Sequence, residues 1–208
     1  MSIPLVPSVS LRKDLEQVVA EAQTNLHLAM PYLSERGITE QVAKKFRLGV
    51  HEHGLPNYNQ YIGRMTIPYL TQAGVATIRY RSLDGTSPKY LSMSGDQARL
   101  FNVNALFTDS ETLAICEGEF DAIIVNDYAA VPAIGVQGVA AWKPSFNRLV
   151  KGYRTILVIG DGDEAGERFA DETAGKIGGT PVVLPDGEDC NSFYLKHDSF
   201  GLIDLLGV

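Results

Sequence analysis

Cysteine is scarce in this sequence. The 208 residues contain two cysteines, Cys116 and Cys190, which do not form a Cys-x-x-Cys pair. A zinc ribbon needs about four Cys or His ligands in paired spacing, so we expect no zinc in this chain. The isolated His51-Glu52-His53 segment is more typical of a solvated loop or an edge strand than of a metal site.

Long apolar runs are also missing. No stretch approaches the roughly 18 residues that a membrane-spanning helix needs, and residues 1–10 lack the basic start and apolar core of a secretory signal. We therefore expect a cytoplasmic protein with no membrane partner. The absence of a Gly-x-x-x-x-Gly-Lys-Ser/Thr loop disfavours a helicase.

Positive charge is in deficit, since the formal net charge is −7, but the deficit is uneven. Residues 1–110 carry 11 Lys/Arg and 9 Asp/Glu, a net of +2, whereas residues 111–208 carry 7 and 16, a net of −9. An acidic half can hold divalent cations, which reverse the local field. The overall charge therefore does not exclude a phosphate-bearing ligand.

The first half mixes helical and strand patterns and predicts a small α+β subdomain over residues 1–110. Apolar residues recur at helical spacing over 11–34, where we expect Pro31 to kink or end the helix. Thr39 can cap a second helix that runs to Phe46. Residues 49–60 are typical of a loop, and residues 61–81 predict an antiparallel hairpin.

The second half, 111–208, alternates short apolar strands with helices. This order predicts an α/β fold with a parallel sheet flanked by helices. In such folds ligands bind at the carboxyl ends of the strands. Strands are expected at 112–116, 131–134, 155–159 and 181–184, and helices at 120–127, 143–149 and 164–177.

Acidic residues follow three of these strands. Glu117 ends the first, and Asp121 lies in the first turn of the next helix, where the helix dipole alone could favour an acid. Asp161 and Asp163, with Gly162 between them, end the third strand. Asp189 lies in the turn after the fourth.

An EF-hand is one alternative for the second cluster, because Asp161, Asp163, Gly166 and Glu172 match four of its loop positions. It fails because Ala165 occupies position five and a buried strand precedes the loop.

Taken together, three strand ends that deliver carboxylates to one edge predict a cation site. Clustered carboxylates repel one another unless cations neutralise them, and oxygen-only ligands favour Mg²⁺ or Mn²⁺. Two such ions could support phosphoryl transfer. The residues expected to form the site are Glu117, Asp121, Asp161, Asp163 and Asp189.

The first two clusters resemble the Toprim signature, and the rest of the chain resembles the RNA-polymerase core of DnaG-type primases in family order. The segments that carry this resemblance are 32–38, 46–49, Gly63-Arg64, Ile67-Pro68, Arg81, Pro88-Lys89-Tyr90-Leu91 and 184–189. The resemblance implies a Toprim fold preceded by the smaller subdomain. It also implies that Arg64, Arg81, Lys89 and Tyr90 contact template or nucleotide phosphates.

Two residues depart from the family pattern. Asn191 stands where the family usually has another aspartate, and Val103 replaces an expected lysine. The zinc-binding and helicase-binding domains of the family have no counterpart in these residues. The resemblance therefore implies a phage or mobile-element protein acting in the host cytoplasm, with a separate zinc-binding protein and a replicative helicase as partners.

The leading hypothesis from the sequence is a primase core that makes short RNA primers from NTPs on single-stranded DNA with Mg²⁺ or Mn²⁺. Two alternatives remain open. One is a Toprim nuclease, which would not require the Arg64, Arg81 and Lys89 segment, and the other is a non-catalytic replisome or nucleic-acid adaptor, which Asn191 and Val103 keep open. A topoisomerase is disfavoured because no large second domain is present.

Overall fold

The computed structural model describes residues 6–53, 56–138 and 140–208. The chain divides into two compact units, the first ending at Gln97 and the second beginning at Ala98. The first unit contains α1 (Val9–Thr24), α2 (Leu26–Ser34), α3 (Glu40–Lys45), β1 (Gly49–His51), β2 (Arg64–Thr71), β3 (Gly74–Arg81) and β4 (Tyr90–Ser92).

The first helical segment breaks at Asn25, not at Pro31. Asn25 ends α1 through a backbone hydrogen bond to Ala22 O, and its side-chain amide donates to Glu21 Oε1 at 3.0 Å. Pro31 lies inside α2, which continues to Ser34. The helix breaks at Asn25, well before Pro31, so the expected end at Pro31 is wrong, whereas the alternative of a kink at Pro31 stays a prediction.

Four antiparallel strands form the sheet of this unit, in the order β1-β2-β3-β4. The predicted hairpin is β2 and β3, paired from Met65 opposite Arg81 to Thr71 opposite Gly74. Part of the predicted 49–60 loop is instead the edge strand β1, whose Gly49 lies opposite Thr66. Tertiary pairing decides this, because three residues are too short to show a strand pattern.

The second unit contains the predicted parallel sheet, in the order β6-β5-β7-β8 with helices packed on it. Its β5 and α6 have the bounds that the sequence pattern predicts, and the other elements shift by a few residues. The elements are β5 (Thr112–Cys116), α4 (Glu119–Tyr128), β6 (Ala133–Gly135), α5 (Asn147–Val150), β7 (Thr155–Gly160), α6 (Glu164–Ile177), β8 (Thr180–Val183) and α7 (Cys190–Leu206).

The strand register aligns the ends of the parallel strands. Cys116, the last residue of β5, lies opposite Gly135 of β6 and Ile159 of β7. Gly160, the last residue of β7, lies opposite Val183 of β8. The residues that follow these strands therefore leave the sheet at one edge, as expected for parallel strands.

Each unit has its own apolar core. In the first unit, α1 packs on the sheet through Leu15, Val18 and Val19, all nearly fully buried. In the second, Leu113 and Ile115 of β5 are buried together with residues of β7 and α6. Burying one such side chain contributes about 1.5–3 kcal/mol.

The division at Gln97 and Ala98 differs from the expected domain boundary between residues 110 and 111. The segment after Ala98 belongs with the parallel sheet because Phe101 N–H donates to Gly135 O at 2.8 Å. Asn102 reinforces this through its side-chain amide, which donates to Ala133 O at 2.8 Å. These hydrogen bonds join residues far apart in sequence, so local pattern could not reveal them.

None of the helices in the described ranges is long and apolar enough to cross a membrane.

A glycine at the end of β7 gives a test of the strand-to-helix packing. A Cβ on residue 160 would lie 2.0 Å from the backbone oxygen of Gly166, which cannot move without shifting α6. We expect Gly160→Ala to lower the free energy of unfolding by about 3 kcal/mol, the upper end of overpacking costs. Urea unfolding followed by circular dichroism measures this change.

Gly175→Ala is the matched control, because a Cβ there meets nothing within 4 Å and residue 175 lies inside α6. Alanine should raise the free energy of unfolding by up to about 1 kcal/mol through its higher helix propensity. Equal effects of the two substitutions would contradict the packing described for Gly160.

Candidate metal site and nucleic-acid contacts

The turn after β5 brings Glu117 and Asp121 together at the edge of the sheet. Gly118 caps the start of α4, and a Cβ on it would lie 2.6 Å from Asp121 Oδ2. Glycine therefore leaves the space into which the Asp121 carboxylate folds back. Asp121 is 9% exposed, so the carboxylate is buried beneath this turn.

The turn after β7 places Asp161 and Asp163 beside it. Asp163 is the N-cap of α6, and its Oδ1 accepts the backbone N–H of Gly166 at 2.7 Å. Gly162 allows close approach of another loop, since a Cβ there would lie 1.9 Å from Pro185 O. The cap fixes the orientation of one carboxylate.

The turn after β8 brings in Asp189 in the same way. Asp189 caps α7 by accepting the backbone N–H of Ser192 at 2.7 Å, and Ser192 Oγ accepts the N–H of Asp189 at 3.0 Å. This reciprocal pair is a capping box. Gly162 N–H donates to Glu188 O at 2.8 Å, and Gly187 N–H donates to Gly162 O at 2.7 Å, which joins the two acidic loops.

A cavity of about 270 Å³ opens between these two loops. It brings together Asp161, Asp163 and Asp189, three of the five predicted carboxylates. Glu117 and Asp121 do not line it, but they lie close by: a backbone hydrogen bond from Asp161 reaches Glu117, and the charges of Asp161 and Asp189 act on Asp121. The lining residues are Asp161, Gly162, Asp163, Gly187, Glu188, Asp189 and Ser192.

Glu188 is a cavity residue that the sequence reasoning missed. Its Oε1 accepts a hydrogen bond from Lys196 Nζ at 2.8 Å, and its Oε2 is buried and makes no hydrogen bond. Its position between Gly187 and Asp189, in a turn already marked as acidic, was the signal that could have identified it.

Burial and like charge perturb two of the carboxyl groups. Burial raises the pKa of Glu117, and the charges of Asp121 and Asp163 add to this, whereas the backbone hydrogen bond from Asp161 opposes it. Burial, followed by the charges of Asp161 and Asp189, raises the pKa of Asp121 from 3.8 to about 8. Both shifts therefore come first from burial and second from the neighbouring acids.

The oxygen donors at the cavity suit a hard divalent cation, although the described residues do not form a complete set of metal ligands. Within 6–53, 56–138 and 140–208, no three His, Cys, Asp or Glu side chains converge closely enough to hold an ion. Two observations favour a fit: all donors at the cavity are oxygen atoms, and Glu117 Oε2 is buried without a hydrogen-bond partner. Such donors suit Mg²⁺ or Mn²⁺.

The predicted phosphate-contacting residues lie together in the first unit, and they differ in exposure. Lys89 is exposed, while Arg64 is half-buried and donates from Nη1 to Pro88 O at 2.9 Å. Tyr90 of β4 lies opposite Arg81 of β3. Their contact with phosphate stays a prediction.

Arg81 is 7% exposed, because its guanidinium lies between two tyrosine rings. Its central carbon is 4.8 Å from the ring centroids of both Tyr32 and Tyr90, and Nη1 donates to Tyr90 Oη. Arg79, which the sequence reasoning did not select, lies 4.2 Å from the Tyr90 centroid. The Arg-x-Arg spacing on a strand, which places both on one face, was the available signal.

Two solved structures of primase domains share this architecture. The RNA polymerase domain of Mycobacterium tuberculosis primase DnaG in complex with double-stranded DNA matches with a TM-score of 0.79 and 21% identity, over 96% of this chain and 81% of that one. A DnaG primase catalytic domain bound to single-stranded DNA matches with a TM-score of 0.78 and 19% identity, over 95% and 80%. The fold is that of the DnaG-type primase RNA-polymerase domain.

Sequence relatives agree with this fold. Residues 112–184 match the Toprim domain. The gene 57 protein of Mycobacterium phage D29 is 40% identical over 150 residues, covering 69% of this chain and 98% of that protein. The chain belongs to the family of this phage protein, and it has the Toprim-containing core of DnaG-type primases.

A bacterial relative is longer than this chain. The DNA primase of Pseudomonas aeruginosa is 23% identical over 236 residues, covering 91% of this chain and 36% of that protein. The chain therefore spans about a third of the length of that primase. The predictions of a DnaG-type resemblance and of an α/β Toprim fold after a smaller unit are confirmed.

The raised pKa of Asp121 generates a prediction about stability and pH. A carboxyl group whose pKa is higher in the folded than in the unfolded protein adds stability at low pH and loses it as pH rises. In EDTA, the melting temperature of the wild-type protein should fall between about pH 4 and pH 8, the interval between the two pKa values. Differential scanning fluorimetry across this range measures it.

Asp121→Asn removes the titrating group and should flatten this pH dependence. Asp171→Asn, at an exposed position of α6, is the control that should leave it unchanged. An equally steep fall in the Asp121→Asn variant would contradict the assignment to Asp121.

Proposed function

We propose that this chain is the catalytic core of a DNA primase that makes short RNA primers on single-stranded DNA. The observation that carries the proposal is a cavity lined by carboxylates from two strand ends, with the carboxylates of a third strand end beside it, in a chain homologous to DnaG primase catalytic cores. In the reaction the 3′-hydroxyl of the primer attacks the α-phosphorus of an NTP. A new P–O bond forms, the bond to pyrophosphate breaks, and the hydroxyl proton passes to water.

Residues of the second unit would hold the divalent cations that this chemistry requires. We assign Glu117, Asp161, Asp163 and Asp189 as ligands, with Asp121 as a further carboxylate of the site. When bound, Mg²⁺ or Mn²⁺ would lower the pKa of the attacking hydroxyl and stabilise the charge that develops on the phosphoryl oxygens.

The protein's own contribution is preorganisation. The caps formed by Asp163 and Asp189 hold these carboxylates on the first turns of α6 and α7, so they need little rearrangement when a ligand arrives. The two backbone hydrogen bonds between Gly162 and the loop at 187–188 keep the cavity walls together.

Residues of the first unit would bind template and nucleotide phosphates. Lys89 is the exposed cation of this group, and Arg64 lies beside it through Pro88. Arg81 is buried between Tyr32 and Tyr90, so we assign it to holding the Tyr90 ring in place rather than to reaching a distant phosphate. A stacked ring of this kind suits contact with a nucleobase or sugar.

The activity test uses single-stranded DNA, NTPs and Mg²⁺ or Mn²⁺, with and without a primase zinc-binding domain. The wild-type chain should make oligoribonucleotides that depend on the metal. Asp161→Asn should reduce their synthesis at least about 100-fold, because losing a carboxylate ligand weakens binding of the cation, whose stabilisation of the transition state is worth roughly 3 kcal/mol or more. Gel analysis of labelled products measures the yield.

Asp171→Asn is again the matched control and should retain activity, since Asp171 is exposed on α6 outside the cavity. Metal-dependent cleavage of DNA without primer synthesis would favour the nuclease. Neither product, even with the zinc-binding domain present, would favour the adaptor and overturn the catalytic proposal.

Binding of DNA by the first unit has its own test. Each cation that contacts a phosphate of single-stranded DNA contributes about 0.7 to the slope of log affinity against log salt. Lys89→Ala should weaken binding and reduce that slope by about 0.7, as measured by fluorescence anisotropy. Lys13→Ala, which removes an exposed cation from α1, should change neither quantity; equal effects would mean that the contact is not specific to Lys89.

A further inference from the structure

A buried pair of polar side chains joins α4 to α7 beside the acidic cavity. Asn191, in the first turn of α7, is 3% exposed, and its Nδ2 donates to Asp121 Oδ1 at 3.1 Å. At the other end of α4, the rings of Tyr128 and Tyr194 stack with centroids 4.4 Å apart. The start of α7 therefore contacts α4 at two points, one near the beginning of α4 and one at its end.

Asp121 needs this partner because it is buried among other acids. The charges of Asp161 and Asp189 act on it, and the backbone N–H groups of Asp121 and Cys190 are its other hydrogen-bond donors. A buried carboxylate without sufficient donors destabilises the fold strongly. An amide at 191 adds a donor without adding a further negative charge.

An aspartate at residue 191 would reverse this arrangement. Two carboxyl groups would then face each other across the 3.1 Å that the hydrogen bond now spans. Such a pair needs either a proton or a cation between the oxygen atoms. The Asn191 amide supplies N–H hydrogen to the same carboxylate oxygen and needs neither.

We propose that Asn191 is a positioning residue that holds the start of α7 against α4 without a bound cation, by donating its amide N–H to the buried carboxyl group of Asp121. Asp189, which caps the same helix two residues earlier, is thereby kept at the cavity whether or not a metal is present. The contact between the helices is independent of any metal, whereas the role of Asn191 at the cavity rests on the proposed metal site.

The first test exchanges the amide at residue 191 and the carboxyl group at residue 121. In EDTA at pH 8.5, where a shared proton is hard to retain, Asn191→Asp should lower the melting temperature by roughly 10 °C, the size expected for an uncompensated buried charge. The double variant Asp121→Asn with Asn191→Asp restores one amide and one carboxylate at the same contact. It should recover most of the loss, even if Asn191→Asp alone fails to fold.

Asn57→Asp is the matched control, because it makes the same chemical change at an exposed position and should leave the melting temperature unchanged. An Asn191→Asp variant as stable as the wild type would overturn the proposal. A double variant as unstable as Asn191→Asp would also overturn it, because the lower melting temperature would then come from altered packing and not from charge.

The second test adds Mg²⁺ as the probe. One millimolar Mg²⁺ should raise the melting temperature of Asn191→Asp by more than that of the wild type, because a cation can then do what the amide does. If Mg²⁺ raises the melting temperature of Asn191→Asp by no more than that of the wild type, a cation does not replace the amide and this part of the proposal is overturned. Mn²⁺ binding to the wild type, followed by electron paramagnetic resonance, separately tests the proposed metal site: its absence would refute that site, while the exchange in EDTA still decides the role of Asn191.

Discussion

Like charge at one edge of the parallel sheet is the constraint on which the second unit depends. Because β5 and β7 end in register, the carboxylates that follow them cannot avoid one another. Repulsion between buried acids costs stability unless donors or cations compensate it. Burial and, after it, the neighbouring acids raise the pKa values of Glu117 and Asp121.

Several kinds of hydrogen bond stabilise these carboxylates. Asp163 and Asp189 accept backbone N–H groups at helix starts, where the helix dipole also favours negative charge. Asp121 receives the amide of Asn191. Glu117 keeps one buried oxygen without a hydrogen-bond partner. The carboxylates thus differ in how many hydrogen-bond donors they have. A bound cation would stabilise most strongly the carboxylate oxygen that has none, Glu117 Oε2.

Two cations of the first unit, Arg81 and Lys89, differ in their exposure to water. Arg81 is removed from water and held between aromatic rings, where cation–π attraction offsets part of its desolvation. Lys89 remains exposed on the segment that leads into β4. Of these two cations, Arg81 is therefore buried against aromatic rings and Lys89 is exposed.

The sequence by itself determined the class of fold and the identity of the acidic strand ends, because alternating apolar strands and helices are local patterns and parallel strands must end at one edge. It could not determine β1 or the division at Gln97, since each depends on hydrogen bonds between residues distant in the chain. Tertiary structure alone decided that Glu188 lines the cavity, that Arg81 is buried and that Asn191 contacts Asp121. Those facts depend on which side chains share a space, and local spacing carries no information about that.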